Sequence, residues 1–372
     1  MATFILDARS MQDHFPGIGR YAFHLARALA HYFPQDTFRL LYNARAINSR
    51  FDLRALWARP NVERVAVNAK YFSLAEQRLA VDARVTTRGD AFHSPYYALP
   101  FALAVPKIVT LADLTPLVLP QEMPSALRRV AYRFLNQAAA RRAQAVLTFS
   151  DASRADLERI LKIPRAKISI VPLAADESFA PQPVSEIARV RHTLALPEKY
   201  ALYVGSNKPH KNLPRLVEAW NQVESDAVLV IAGAWDARYP EAQSLTAKFD
   251  LQERVLYRHS IAENDLPALY SGAACFVFPS VHEGFGLPPL EAMACGAPVA
   301  CAYASSLPEV VGDAALFFEP RQIQDIARAL SELLNDETLR ARLRERGMAR
   351  ARQFSWERVA RETRQVYQTV CG

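Results

Sequence analysis

Short apolar runs rich in β-branched and aromatic residues recur along this chain, separated by longer stretches with helical spacing. The runs predict strands at 3–8 (TFILDA), 38–43 (FRLLYN), 62–67 (VERVAV), 91–94 (AFHS), 107–112 (KIVTLA), 145–150 (AVLTFS) and 168–173 (ISIVPL). A polar, proline-bearing segment follows, 174-AADESFAPQPVSE-186. The runs then resume at 200–205 (YALYVG), 227–233 (AVLVIAG), 255–259 (VLYRH), 275–280 (CFVFPS), 297–301 (APVAC) and 315–320 (ALFFEP). Strand–helix alternation means parallel sheets covered on both faces. Two such series predict an α/β protein of two Rossmann-like, doubly wound parallel-sheet domains facing a central cleft.

Composition agrees with that picture. The chain has 372 residues, 51% hydrophobic and 22% charged, enough apolar surface for two cores. No window approaches the roughly 18 consecutive apolar residues of a membrane span. MATFILDARS lacks a basic start and is interrupted by Asp7, so it reads as a first strand rather than a signal peptide. Cys275, Cys295, Cys301 and Cys371 show no metal-ligand spacing, and a reduced, cytoplasmic setting accounts for them.

The net charge of +7 and pI of about 9.3 raise nucleic acid or membrane as partners. Aromatic residues do not cluster with the basic runs, which argues against nucleic acid. The segment 125-SALRRVAYRFLNQAAARRAQAV-146 is different. It carries Arg128, Arg129, Arg133, Arg141 and Arg142, no acidic residue, and Leu127, Val130, Ala131, Phe134 and Leu135 at helical spacing. Two readings stand: a helix resting on an anionic membrane surface, or a packed helix with a wet basic face. The run 338-TLRARLRERGMARARQF-354 has acidic neighbours and reads as a solvated helix.

Three stretches carry chemistry. In 16-PGIGRYAFHLARAL-29, Gly17, Gly19 and Ala22 match the dinucleotide fingerprint G-x-G-x-x-G/A. Eight residues separate Ala8 from Gly17, however, and no acidic residue closes the second strand, so a dinucleotide is rejected. What remains is a glycine loop feeding amides into a helix start, suited to an anionic or hydroxyl-rich ligand. In 203-YVGSNKPHKNLPRLVEAW-220, a loop with Ser206, Lys208, His210 and Lys211 follows a parallel strand, where cations suit a phosphate. In 281-VHEGFGLPPLEAMACG-296, Pro288 and Pro289 begin a helix, and the amides of Phe285, Gly286 and Leu287 are the donors nearest its start. Glu283 and Glu291 flank this turn. They read as an acid–base pair, a metal site or helix-start residues.

This last stretch resembles the E-x7-E signature of retaining GT-B glycosyltransferases of the family 4-like, mannosyl- and glucosyltransferase group. GSNKPHKN resembles that group's donor-phosphate loop, and PGIGRY its N-terminal glycine loop. The segments 266-LPALYSGAACFVFPS-280, 305-SSLPEVVGDAALFFEP-320 and 354-FSWERVA-360 follow in the family's order. The resemblance implies a GT-B fold. Residues 1–175 would form an N-terminal acceptor-binding domain, with a C-terminal helix at about 355–372 packing back on it, and 190–354 a nucleotide-sugar-binding domain. By similarity, Glu291 binds the donor ribose, Gly284 and the Phe285–Leu287 amides hold the diphosphate, and Lys211 neutralises it as it leaves. Glu283 would bond hydroxyls of the transferred sugar. His259 and Ser260 would pass the nucleobase, and Gly17 and Gly19 would bring backbone near the sugar and diphosphate from the opposite domain. No metal or other cofactor is implied, and no D-x-D cluster stands where a metal would bind. Two carboxylates around an anomeric carbon, as in glycosidases, are then the wrong template.

Two positions depart from the family. Many relatives have His-Asp where this chain has Ala112-Asp113, leaving Asp113 alone, and His93 at a neighbouring strand end is the candidate to serve instead. Many relatives also have Arg at the position of Ser206, whose charge Lys208 would supply. The implied function is transfer of a hexose, mannose first, from GDP-mannose or else a UDP-sugar. The acceptor would be a glycan or lipid-linked glycan in surface polysaccharide synthesis, at the cytoplasmic face of the membrane. A nucleotide-sugar epimerase and a catalytically silent nucleotide-sugar binder are the competing readings.

Overall fold

The computed structural model describes residues 1–372, the side chain of Pro16 excepted. Its strands form two all-parallel sheets. In the first, β1 (Thr3–Asp7), β2 (Thr37–Tyr42), β3 (Val62–Ala66), β4 (Ala91–Ser94), β5 (Lys107–Thr110), β6 (Ala145–Thr148) and β7 (Ile168–Ile170) lie in the order β3-β2-β1-β4-β5-β6-β7. In the second, β8 (Tyr200–Val204), β9 (Val228–Ala232), β10 (Val255–Arg258), β11 (Cys275–Phe278), β12 (Val299–Ala302) and β13 (Ala315–Phe318) run β10-β9-β8-β11-β12-β13. Each apolar run of the sequence supplies one strand. Most runs extend a residue or two past the strand because their last residues already turn into loops. Ser150, for example, caps the helix Asp151–Leu161 by accepting from the Ser153 amide.

The chain divides into two compact units, Met1–Leu173 with Ser355–Gly372, and Ala174–Phe354. In the first, Ile5, Phe92, Val109 and Val146 are fully buried. The terminal helix Trp356–Cys371 belongs to this unit because Trp356, Val359, Ala360, Thr363 and Tyr367 form one buried stripe at helical spacing. Trp356 stacks on His24 with centroids 5.0 Å apart, and the Arg364 Nε donates to buried Asp36 at 2.6 Å. In the second unit Leu202, Val230, Phe276 and Val299 are buried at the sheet centre. Strand order reverses direction between β1 and β4, and between β8 and β11. Ligands of such sheets bind at the carboxyl ends of those strand pairs.

The basic helix, Ala126–Arg142, corrects one reading of the sequence. Its buried face is Asn136, Ala139 and Ala140. Leu127, Val130 and Phe134 point outward, 80%, 65% and 67% exposed. The apolar stripe seen in the sequence is therefore not packed, and it shares the surface with Arg128, Arg133, Arg141 and Arg142. The helix Glu337–Ala351 buries only Leu343 and Gly347, as its charge pattern predicts.

Candidate active site

Two loops of the second unit, after β8 and β11, meet because those strands are neighbours. The first runs through the 3-10 turn Pro209–Lys211 to the helix Leu213–Trp220. Asn212, at φ 62°, holds it in place. The Asn212 amide donates to the carbonyls of Pro279 at 3.1 Å and Pro320 at 2.7 Å, tying three strand ends together. Asn207 does the same on the other side, donating to Asp236 and Tyr239 carbonyls and accepting from the Asp236 amide. The second loop joins the first where the Val281 amide donates to the His210 carbonyl at 2.9 Å.

This brings Lys211 against Glu283. Lys211 Nζ lies 2.6 Å from Glu283 Oε1 and 5.1 Å from the Phe278 ring centre. The Ser280 hydroxyl donates to the same carboxylate oxygen. Burial pushes the Glu283 carboxyl up, but the charges of Lys211 and His210 and the hydrogen bonds from Lys211 and Ser280 outweigh it. The carboxyl ends below its ordinary range and stays ionised.

Beyond Glu283 the chain enters the helix Leu287–Ala294, with Gly286 as its N-cap at φ 124°. The amides of Phe285, Gly286 and Leu287 have no hydrogen-bond partner among the described residues, and Pro288 and Pro289 carry none to offer. The loop that presents them is held from behind. The Ser305 and Ser306 hydroxyls donate to the Glu283 carbonyl at 2.8 and 3.0 Å, and Ser306 also reaches the Phe285 carbonyl at 2.5 Å. Glu291, one turn into the helix, is 2% exposed and accepts from the Tyr270 hydroxyl at 3.1 Å. Gly284 is buried, whereas His259 and Ser260 are exposed just past β10. His259 lies beside Trp235 and Tyr257, at centroid distances of 5.6 and 6.3 Å. Ser206 is half-buried, its carbonyl taken by the Tyr203 hydroxyl. Lys208 is exposed and its charge acts on Asp236, so Lys211 is the cation that meets Glu283.

In the first unit, Gly17 and Gly19 do not form a loop ahead of a helix, as the sequence suggested. They lie in the first turn of the helix Pro16–Tyr32, and the Gly19 amide is spent on the Phe15 carbonyl at 2.7 Å. Gly19 is required by close approach, since a Cβ there would sit 2.4 Å from the Ser10 carbonyl oxygen. Gly17 has nothing within 4 Å. Asp113 is half-buried and accepts from the Thr115 amide at 2.8 Å, starting the short helix Thr115–Val118.

His93 corrects a second reading. It is 1% exposed, with Nδ1 2.7 Å from the Tyr367 hydroxyl and Nε2 2.7 Å from the Thr110 hydroxyl. Neither ring nitrogen is left for a sugar, so His93 does not stand in for the missing histidine at Ala112. Burial lowers its imidazole from 6.5 to about 3. An unfolded chain takes up this proton below 6.5, while the folded one does not until about 3, so stability is lost as the pH falls through that window. His93→Gln is expected to flatten the fall in urea midpoint between about pH 6 and 4. Equal slopes for the two proteins would remove His93 as the titrating group.

Residues 184–350 match the glycosyl transferases group 1 family, and residues 16–174 match the glycosyl transferase 4-like domain. O-antigen chain mannosyltransferase B of Escherichia coli is 30% identical over 370 residues, covering 95% of this chain and 96% of that protein. The chain belongs to the family 4-like glycosyltransferases. Its fold is shared with sucrose-phosphate synthase from Thermosynechococcus elongatus, at a TM-score of 0.80 and 21% identity over 99% of both chains. It is likewise shared with Anabaena HepE, solved in complex with UDP and glucose, at a TM-score of 0.77 and 18% identity over 99% of this chain and 100% of that one. The two parallel sheets are those of the GT-B fold.

Several residues that shape this glycosyltransferase's site escaped the sequence reading. Ser305 and Ser306 begin a segment with family character, yet nothing local shows that their hydroxyls reach back to Glu283 and Phe285. Asn207 and Asn212 sit in the GSNKPHKN loop beside Lys208 and Lys211. An asparagine just before a helix that opens with Leu-Pro was the available signal, since Asn tolerates positive φ and closes loops. Trp235, in the loop after β9, carried no signal at all. It meets His259 only because β9 and β10 are paired.

Proposed function

We propose that this glycosyltransferase is a retaining, metal-independent hexosyltransferase that moves mannose from GDP-mannose to a glycan or lipid-linked glycan in surface polysaccharide synthesis. The second unit would hold the nucleotide sugar and the first the acceptor. The observation that carries the reading is the set of three unpartnered amides at Phe285–Leu287 beside the Lys211–Glu283 ion pair. Amides at a helix start attract an anion through both their N–H groups and the helix dipole. As the bond from the sugar to the diphosphate breaks, charge grows on the leaving oxygen. Fixed donors and the Lys211 ammonium stabilise that charge without reorganising. Glu283 gives Oε1 to Lys211 and Ser280, and Oε2 would bond a hydroxyl of the sugar. The leaving phosphate then accepts the acceptor's proton on the same face. Mannose is supported by the mannosyltransferase relative, and a UDP-sugar is the second donor, supported by the UDP complex of the structural neighbour. The nucleobase would lie by His259, Ser260 and Trp235.

The reaction is tested by incubating the protein and a chelator with GDP-mannose or UDP-glucose and a panel of glycan and lipid-linked acceptors, reading the product anomer by NMR. An inverted product, or a strict need for a divalent ion, refutes the corresponding part. Glu291→Ala is expected to weaken GDP or UDP binding about tenfold by calorimetry, as loss of a charged hydrogen bond does. Wild-type affinity would exclude ribose contact. A second reading, a nucleotide-sugar binder without activity, is favoured by Ala112 together with the fully engaged His93. It predicts donor binding with neither transfer nor hydrolysis across the panel.

A further inference from the structure

The first unit contains a cavity of about 280 Å³, apart from the three stretches that carry chemistry in the sequence. Its walls include Phe72, Leu74, Tyr97, Phe101 and Leu135. Phe72 is held at φ 61°, a left-handed conformation that is a genuine outlier for a bulky residue, and it remains 44% exposed. The surroundings enforce this. Its amide donates to Glu76 Oε2 at 2.9 Å, while Glu76 Oε1 accepts from buried Arg9 at 2.7 Å. Such strain persists where neighbouring structure over-determines it, and it points to a site.

Most polar groups in the wall are spent on the protein itself, the Tyr97 hydroxyl proton excepted. Gln77 donates to the Leu99 carbonyl at 3.1 Å and accepts from the Phe101 amide at 2.9 Å. Ser73 donates to the Lys70 carbonyl and accepts from the Glu76 amide. The Tyr97 hydroxyl accepts from Tyr96. A sugar ring entering here would lose water without finding a matching set of donors and acceptors, whereas a hydrocarbon would not.

The mouth of the cavity adds a charge preference. Leu74 is 82% exposed beside it. Leu135 joins the wall from the basic helix, next to the exposed stripe of Leu127, Ala131 and Phe134. Arg128 and Arg142 lie seven residues before and after Leu135, on the same helical face and about 10 Å away along the axis. Both are exposed, and neither has an acidic partner among the described residues. We propose that this cavity is a hydrocarbon-chain site, taking the acyl or prenyl tail of a phosphate-bearing lipid whose head group is met by one of these two arginines, Arg128 or Arg142, which stand on opposite sides of Leu135. The site stands on the first unit alone and does not depend on the proposed transfer reaction.

Titration of the full chain with octyl, decyl and dodecyl phosphate, each below its aggregation threshold, tests it. Affinity is expected to rise about fourfold for each added methylene until the cavity fills. No binding, or affinity independent of chain length, overturns the proposal. Leu74→Glu, at a surface position that leaves folding intact, and Leu135→Trp, which fills the cavity, should each weaken dodecyl phosphate at least about tenfold. Unchanged affinity in both overturns it too. Arg128→Gln with Arg142→Gln should remove the preference for decyl phosphate over decanol, and a retained preference excludes those arginines. Flotation with vesicles of equal parts phosphatidylcholine and phosphatidylglycerol separates the lipid sources. If Leu135→Trp loses flotation along with alkyl phosphate binding, the chain comes from the bilayer surface. If it loses only the latter, the site takes the tail of a single lipid carrier.

Discussion

Lys211→Ala is expected to slow sugar transfer by about a hundredfold to a thousandfold, with donor Kd changed only a few fold. The reasoning rests on where charge develops. On the proposed reading, the ground-state diphosphate would already have the Phe285–Leu287 amides, so removing one cation would cost little binding. In the proposed transition state the leaving oxygen would gain charge, which the Lys211 ammonium, held 2.6 Å from Glu283, would meet. A single-turnover rate beside a calorimetric Kd separates the two effects, and an unchanged rate would sink the assignment. Lys211→Arg should recover part of the rate because charge is kept.

The same substitution has a stability signature. Glu283 is held below its ordinary value of 4.5 chiefly against burial, with Lys211 as the largest opposing influence. The pair's contribution is present above that ordinary value and is lost as pH falls through the lower folded-state value. Lys211→Ala should therefore cost about 3 kcal/mol at neutral pH, the scale for a buried charge left unpaired. The difference from wild type should shrink below pH 4.5. A gap that persists into acid would mean the loss is packing rather than charge.

Gly286→Ala is expected to cost about 2 to 3 kcal/mol of stability and to weaken GDP or UDP binding at least tenfold. Gly286 stands at φ 124°, where residues with a Cβ are strained, and an added Cβ would sit 2.8 Å from Leu307 Cδ2. Relief requires the loop to rotate, and rotation re-aims the amides on either side of it. Leu307 cannot simply yield, being fully buried beside Ser306, which bonds the Glu283 and Phe285 carbonyls. Urea denaturation and nucleotide titration on one preparation check both halves. A variant that is destabilised yet binds nucleotide normally would move the anion site elsewhere.

Some of this molecule was legible one residue at a time. The strands could be read because parallel strands buried on both faces leave continuous apolar runs, as in 227-AVLVIAG-233. The amide nest was legible for a similar reason: Pro288 and Pro289 mark a helix start, and the three residues before them must then carry the free donors. Lys211 and Glu283 could each be named, but not their contact. They are 72 residues apart and meet only because the crossover connections set β8 beside β11.

His93 and the basic helix show the limit from the other side. A histidine at a strand end looks available until Tyr367, 274 residues later, packs back and occupies its Nδ1. Leu127, Val130 and Phe134 trace an apolar stripe whichever side the protein lies on. Periodicity reports that a helix has two faces, not which one meets a neighbour.

The sequence by itself determined the two parallel-sheet series, the break between them and the chemistry of the loops after β8 and β11. These follow from local spacing, turn residues and charge, which act over a few positions. Tertiary structure alone decided which side chains meet, which face of the helix Ala126–Arg142 stays open, and that a cavity lies beside it. Those outcomes depend on strand order and on long-range packing, and no short window of sequence contains both partners.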